Sequence, residues 1–306
     1  IFTTATRLFL INQTENLELM KDRTSKRVLK YFRIDQFNDA GNWSIYDPDS
    51  NDMGITPSEL EARTSGNTLG DIVVIGNGLV TGKDKAFKID PKMFHELNDD
   101  EKRCTKRIVK AKSLKKYTHD DATHYIWLND ENIKQEQDLK LNFPNFHRQL
   151  YQFTREGWKD RREQDRPLED RYSYNKKIQW WEWVFLRNKE WLEKEDVKIF
   201  CPCKERHDKK EYVRFSLIRG KEVMPLQDVT AIVPLHEIGE SAEFITAWLN
   251  SDVVYRWLAA KGHARGGVLE FSEAPLMRIP FRRIDFTKKV ERRIHDKITK
   301  IVESNN

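Results

Sequence analysis

With 306 residues, 38% of them hydrophobic and 34% charged, the chain is long enough for one large domain or two ordinary ones, which excludes a disordered or fibrous class. Lys and Arg number 54 against 49 Asp and Glu, a net charge of +5, so where positive charge gathers matters more than its sum. The longest apolar runs, at 72–75 and 253–258, fall far short of a membrane span, and three cysteines without a signal peptide point to a reducing cytoplasm rather than a disulfide framework.

In chain order, residues 1–12, "IFTTATRLFLIN", are rich in β-branched and aromatic side chains, and 28–34, "VLKYFRI", alternates apolar with polar; both are predicted strands able to pair. Turn formers crowd 47–52, and Pro57 at a first helical position predicts a short helix to about Arg63. Strand-like runs flank a glycine-rich turn between 69 and 89, and an acidic loop is expected at 98–101. Lys102, Arg103, Lys106, Arg107, Lys110, Lys112, Lys115 and Lys116 then fall within fifteen residues with no acid among them. Two aromatic and basic stretches follow, 180–191 "WWEWVFLRNKEW" and 198–215 "KIFCPCKERHDKKEYVRF". Phe244, Ile245, Trp248 and Leu249 recur at helical spacing, predicting a helix over 240–260 with a break at Asn250-Ser251. Gly262, Gly266 and Gly267 end it and open a loop, 261–267, expected to stay mobile until phosphates neutralise Lys261, His263 and Arg265. Residues 270–280 read as extended, and Phe286, Val290, Ile294, Ile298 and Val302, at steps of four, predict an amphipathic helix packed on one face.

The stretch 75–87, "IGNGLVTGKDKAF", looks like a phosphate cradle but is not one. The glycine such a loop needs falls on Asn77, and Asp84 stands where a hydroxyl should bind magnesium. Cys201-x-Cys203-x-x-x-His207 is half a zinc site with only Cys104 elsewhere, and reads as buried or partly buried thiols. His236-Glu237-x-x-Glu240 lacks the second histidine of the helical zinc motif, and the acid pairs Asp99-Asp100 and Asp120-Asp121 lie in polar runs that read as solvated loops. The basic and aromatic clusters together suit nucleic acid: 102–116 supplies charge, Trp180, Trp181 and Trp183 supply flat surface, and Arg187, Asn188, Lys204 and Arg206 supply forks and donors. The competing reading makes the tryptophans core and the charges a solvated face.

The segment Gly78-Leu-Val-Thr81-Gly82-Lys-Asp-Lys-Ala86-Phe87-Lys-Ile89 resembles the opening of the TaqI-like C-terminal specificity domain of adenine-N6 DNA methyltransferases, found in type II and IIG restriction–modification systems. Further segments follow in that family's order. Residues 108–117 resemble its basic segment, 180–188 its tryptophan-rich element, Lys198-Ile-Phe-Cys-Pro202 its "Lys-Ile-x-x-Pro" strand, Trp248-Leu-Asn250-Ser251 its "Leu-Leu-Asn-Ser" helix, and Leu276-x-x-Ile279-Pro280 its close. Residues 1–11 are similar to the last hairpin of its catalytic domain. The family's Asn/Asp-Pro-Pro-Tyr/Phe motif and glycine-rich S-adenosylmethionine loop do not occur, and both are expected upstream of Ile1.

The resemblance implies an α+β fold. Residues 1–66 would be the end of a Rossmann-like methyltransferase domain and a connector, 67–284 a target-recognition module of short mixed strands and helices, and 285–306 a C-terminal helix. It implies double-stranded DNA and an upstream catalytic domain as partners, S-adenosylmethionine in the full-length enzyme, no cofactor or metal in this segment and no membrane. Expected DNA-contacting residues are Thr81, Lys83 and Lys85 beside the glycine turn; Lys110, Lys112, Lys115 and Lys116; Trp181, Arg187 and Asn188; Lys204 and Arg206; and Lys261, His263 and Arg265. A stand-alone DNA-binding specificity subunit and a nuclease are the alternatives, the first discriminated by the sequence upstream of Ile1, the second by magnesium-dependent cleavage of plasmid.

Overall fold

The computed structural model describes residues 55–128, 133–173, 178–207, 212–265 and 267–304, together with the backbone of two strands, β1 (Leu8–Ile11) and β2 (Leu29–Phe32). Those two pair antiparallel, Leu8 opposite Phe32, as the two N-terminal runs predict. The helix α1 (Pro57–Arg63) begins where its proline predicts because Thr56 and Glu59 close a capping box: Glu59 N donates to the threonine hydroxyl at 3.2 Å, and Thr56 N to the Glu59 carboxylate at 2.9 Å.

After β3 (Val73–Asn77) come three short helices, α2 (Asp84–Phe87), α3 (Pro91–Glu96) and α4 (Asp99–Arg103). The last replaces the acidic loop expected at 98–101. Asn98 caps it, and Asp99, Asp100 and Glu101 are the acids a helix N-terminus favours. The chain continues through β4 (Thr105–Val109), β5 (Thr123–Ile126), α5 (Glu136–Asn142), α6 (Pro144–Tyr151) and α7 (Lys189–Leu192). Five strands follow: β6 (Val197–Pro202), β7 (Lys204–Arg206), β8 (Ser216–Arg219), β9 (Val223–Pro225) and β10 (Val229–Pro234). Helices α8 (Ala242–Leu249) and α9 (Asp252–Lys261) are separated at Asn250-Ser251, as expected, because Ser251 caps the second helix and its hydroxyl accepts from Val254 N. Then come β11 (Ala264–Arg265), β12 (Val268–Glu270), α10 (Glu273–Met277) and α11 (Lys289–Ser304). Residues 270–280 are therefore not extended throughout.

Three open sheets organise the α+β fold. The central one, in the order β3-β10-β6-β8, is antiparallel at every pairing and buried on both faces. From its two faces, Phe200, Ile218 and Ala231 enter one core, with Tyr125, Phe87, Phe146 and Trp183, while Ile199, Cys201, Leu217 and Ile232 enter a second, with Leu60, Phe244, Trp257 and Phe281. A strand covered on both sides carries a continuous apolar run rather than an alternation, as β6 does over its last four residues, Ile199 to Pro202, after the buried Lys198. The sheet β5-β4-β9 backs the first core, and β11-β12-β7 forms a separate antiparallel ribbon.

Leu60 lies in the second core, and Glu61 accepts from Trp257 Nε1 at 2.9 Å and from Lys261 Nζ at 2.6 Å, so α1 packs with the elements that follow it. Helix α11 packs on α8, but not through the whole expected stripe. Val302 and His295 are buried, whereas Val290 is 72% exposed and Ile294 51%. Each step of four residues overshoots one turn by about 40°, so positions 290 to 302 drift about 120° around the helix and cannot share a narrow face.

Candidate nucleic-acid interface

The ribbon is an exposed basic surface built on regular structure. In β7, Lys204 and Arg206 are exposed and Glu205 between them is buried. The register places Arg206 opposite Val268 and Lys204 opposite Glu270; Val268 in turn faces Arg265. Residues directly opposite share a face of a sheet, so Lys204, Arg206, Arg265, Val268 and Glu270 project together. His263 joins them: its carbonyl accepts from Glu270 N at 2.9 Å, and its Nε2 lies 3.8 Å from the Glu270 carboxylate. Within the segment expected to be a loosely held loop, Lys261 ends α9 and Ala264–Arg265 pair with Val268–Leu269; Gly266 lies outside the described residues. Lys261 is not directed outward, because its ammonium is taken by Glu61 and is only 14% exposed. Beside the ribbon runs an open groove of about 610 Å³ whose walls include Trp257, Lys261, His263 and Arg278.

The lysine-rich segment 102–116 differs from its sequence pattern. Acids from elsewhere in the fold meet its cations: Lys106 pairs with Glu193 at 3.1 Å, Arg107 with Glu222 at 3.4 Å, Lys110 with Asp84 at 2.6 Å, and Lys115 with Asp120. Lys116 donates to the carbonyl of Asn250 at 3.3 Å and lies 5.3 Å from the Tyr212 ring centroid. Lys112 stays exposed on the 3-10 turn Ala111–Ser113. The turn is fixed from below. Ser216 Oγ donates to the Lys115 carbonyl at 2.6 Å, and Arg214 Nη1 donates to the carbonyls of Ala111 and Leu114 at 3.3 and 2.8 Å.

Arg214 also reaches the ribbon, through Nε to Glu205 Oε2 at 2.6 Å and Nη2 to Oε1 at 3.3 Å. Its neighbour Phe215 is held by Asn250, whose side-chain amide exchanges two hydrogen bonds with the Phe215 backbone, at 3.1 and 2.7 Å. This accounts for the asparagine in the "Trp-Leu-Asn-Ser" segment. Arg214 lay unremarked within 198–215, since nothing local marks a guanidinium whose partners are the 111–114 turn and a strand nine residues back.

The glycine turn is a joint between segments rather than a surface that presents Thr81 and Lys83. Thr81 is fully buried: its hydroxyl donates to Asp84 Oδ1 at 2.7 Å and its carbonyl accepts from Arg171 Nη1. Arg171, itself buried, also donates to the carbonyls of Leu168 at 3.1 Å and Trp180 at 2.7 Å; burial pulls it down to about 10. Gly82 has φ +74°, and a Cβ there would lie 2.9 Å from Arg171 Cδ. At Gly78 a Cβ would lie 2.2 Å from the Leu226 carbonyl oxygen, so close approach of two backbones sets that residue. The Lys83 ammonium donates to the Arg166 carbonyl at 2.8 Å and sits 4.2 Å from the Trp158 ring centroid, and burial lowers its pKa. Lys85 is exposed.

The tryptophan-rich segment divides the same way. Trp181 and Trp183 are buried, 4% and 3% exposed, and Trp183 Nε1 donates to the Ile126 carbonyl at 2.8 Å; neither offers a face for a base. Asn188 adopts the left-handed conformation, and its Nδ2 donates to the Asn77 carbonyl at 3.0 Å. Arg187 is exposed, its guanidinium 5.1 Å from the Phe185 ring centroid. Burial pushes the Cys201 thiol up, and the Cys203 sulfur lies 3.2 Å from Thr230 Oγ1. Among the described residues no group of three or more His, Cys, Asp and Glu is placed to hold a metal ion, and no helix is long and apolar enough to cross a membrane.

No family model matches the chain. It is similar to type II methyltransferases. Identity to M.HindII of Haemophilus influenzae is 42% over 248 residues, covering 81% of this chain and 45% of that protein. Identity to M.MjaIV of Methanocaldococcus jannaschii is 34% over 233 residues, covering 74% of this chain and 72% of that protein. M.HincII of Haemophilus influenzae is 43% identical over 219 residues, of which the chain covers 40%. The chain therefore spans less than half the length of M.HindII and M.HincII. In structure it resembles the type IIL restriction–modification enzyme MmeI, with a TM-score of 0.51 at 11% identity over 78% of this chain and 29% of that one, a likeness of fold.

Proposed function

Because this chain belongs to the type II methyltransferases of restriction–modification systems, we propose that it is the DNA-recognition part of a site-specific adenine-N6 DNA methyltransferase. The observation that carries the reading is the outward face of the β11-β12-β7 ribbon, where Lys204, Arg206, His263 and Arg265 stand together. A major groove roughly 12 Å wide admits such a ribbon. The forks of Arg206 and Arg265 suit guanine edges, Glu270 suits a cytosine amino group, and Lys112 with Lys115 suits the flanking phosphates. MmeI, whose fold the chain shares over most of its length, was solved in complex with DNA.

Recognition by this part would hold the duplex for a catalytic part that flips the target adenine out of the stack. The adenine-holding tetrapeptide and the glycine-rich cofactor loop do not occur in this sequence, so S-adenosylmethionine binding and methyl transfer are assigned to residues outside it. The β1–β2 hairpin is the segment proposed to belong to the catalytic sheet.

Duplex binding by the full chain, measured against salt, tests the reading. Affinity should fall by roughly 0.9 log unit per log unit of salt for each phosphate neutralised, and a flat response would remove the electrostatic basis. Calorimetry with S-adenosylmethionine should register no binding; a saturable isotherm would place a cofactor site within these residues.

A further inference from the structure

We propose that Arg214 is the positioning residue of this surface, fixing the ribbon and the lysine turn in one rigid relation so that a single duplex meets both; the proposal rests on the DNA-recognition reading above. Its guanidinium uses all three nitrogens. Nε and Nη2 grip the Glu205 carboxylate at 2.6 and 3.3 Å, and Nη1 takes the carbonyls of Ala111 and Leu114 at 3.3 and 2.8 Å. Glu205 projects from the inner side of β7, directly behind the outward Lys204 and Arg206. Ala111 and Leu114 bracket the turn that carries Lys112 and leads into Lys115.

The clamp is shielded from solvent, with 5% of the Glu205 side chain and 21% of the Arg214 side chain exposed, so salt screens it less than the surface pairs around it. Its base is also rigid. Val213 and Phe215 are fully buried on either side of Arg214, and Asn250 pins the Phe215 backbone. Only a planar fork with fixed N–H directions satisfies a carboxylate and two carbonyls at once; a lysine ammonium matches the charge but not the geometry. All three guanidinium nitrogens are engaged within the protein, so Arg214 would act through the surfaces it joins rather than by touching a nucleotide.

The test uses the full chain, a duplex selected from a random-sequence pool by that chain, and the unselected pool as the non-specific control. Arg214→Lys should lower the preference for the selected duplex roughly tenfold while leaving pool affinity and salt slope close to those of the parent. In the same background, the effects of Lys112→Ala and Arg265→Ala on selected-duplex affinity, coupled in the parent, should become additive. If selected and pool affinities fall together, in step with melting temperature, Arg214 is only a stabilising residue and the proposal is overturned. Glu205→Gln keeps the side-chain size and one acceptor; it should produce a smaller loss of preference in the same direction, and serves if Arg214→Lys does not fold. A parent chain that binds no duplex would overturn the DNA reading itself, a result distinct from intact binding with unchanged preference in both variants.

Discussion

Lys198 shows what one buried side chain can hide. It is fully buried, with its ammonium donating to the carbonyls of Leu192, Glu195 and Gly220 at 3.2, 2.8 and 3.0 Å. Burial pulls its pKa down to about 8, against the pull of Glu222, Asp196 and Glu195 in the other direction. In the unfolded chain a lysine titrates near ~10.4, so between those two values the unfolded state binds more protons and stability rises with pH. Below about 8 the cost of burying the charge is present in full. Denaturant unfolding followed across that window should show this rise, and Lys198→Met should flatten it; equal slopes in parent and variant would refute the assignment. The sequence offered Lys198 only as the first letter of a strand motif, because its three carbonyls come from a helix end, a loop and a turn that no local pattern brings together. The glycines at 78 and 82 were legible as a turn, but their partners, the Leu226 carbonyl and Arg171, were not, since both contacts are long-range.

Among the elements, those with local signals were read well: α1 from its proline, the α8–α9 break from Asn250-Ser251, the N-terminal strand pair from its composition. The tryptophan-rich segment was ambiguous because flat side chains serve a core and a base stack equally. The structure takes Trp181 and Trp183 into the core, where Trp183 meets Trp127 edge to face at 5.1 Å. Trp183→Ala should therefore cost about 3–5 kcal/mol of stability by denaturant titration. A loss of duplex affinity at unchanged stability would return that ring to the DNA surface. The strand pairing of Ala264–Arg265 was not legible for a related reason: glycine spacing signals freedom, while their partner β12 is itself held by a strand some sixty positions earlier. Amide exchange at Glu270, bonded to the His263 carbonyl, should already be slow in the free chain. Exchange there as fast as in an open loop, slowed only by duplex, would restore the mobile segment.

For the whole molecule, the positive charge of 102–116 is less concentrated in the fold than along the sequence, because Glu193, Glu222, Asp84 and Asp120 stand against four of the clustered cations. Only tertiary structure could reveal this, since none of the four acids lies inside the cluster. The strand order β3-β10-β6-β8 has a consequence in time. The strand at the heart of the sheet, β10, follows all its neighbours in the chain, and β3 has no other partner within that sheet. Pairings this distant in sequence are slow to close, and the ribosome must release residues beyond Pro234 before β3 and β6 can be joined. A chain stopped just before Val229 should be insoluble or bound by chaperones rather than compact, with recovery in the soluble fraction as the measure; a soluble, cooperatively melting product would show that the sheet can assemble without its central strand. Until β10 emerges, β3 and β6 present bare edges to every neighbouring nascent chain, so the same strand order that buries the sheet on both faces makes synthesis the interval in which this protein is most exposed to aggregation.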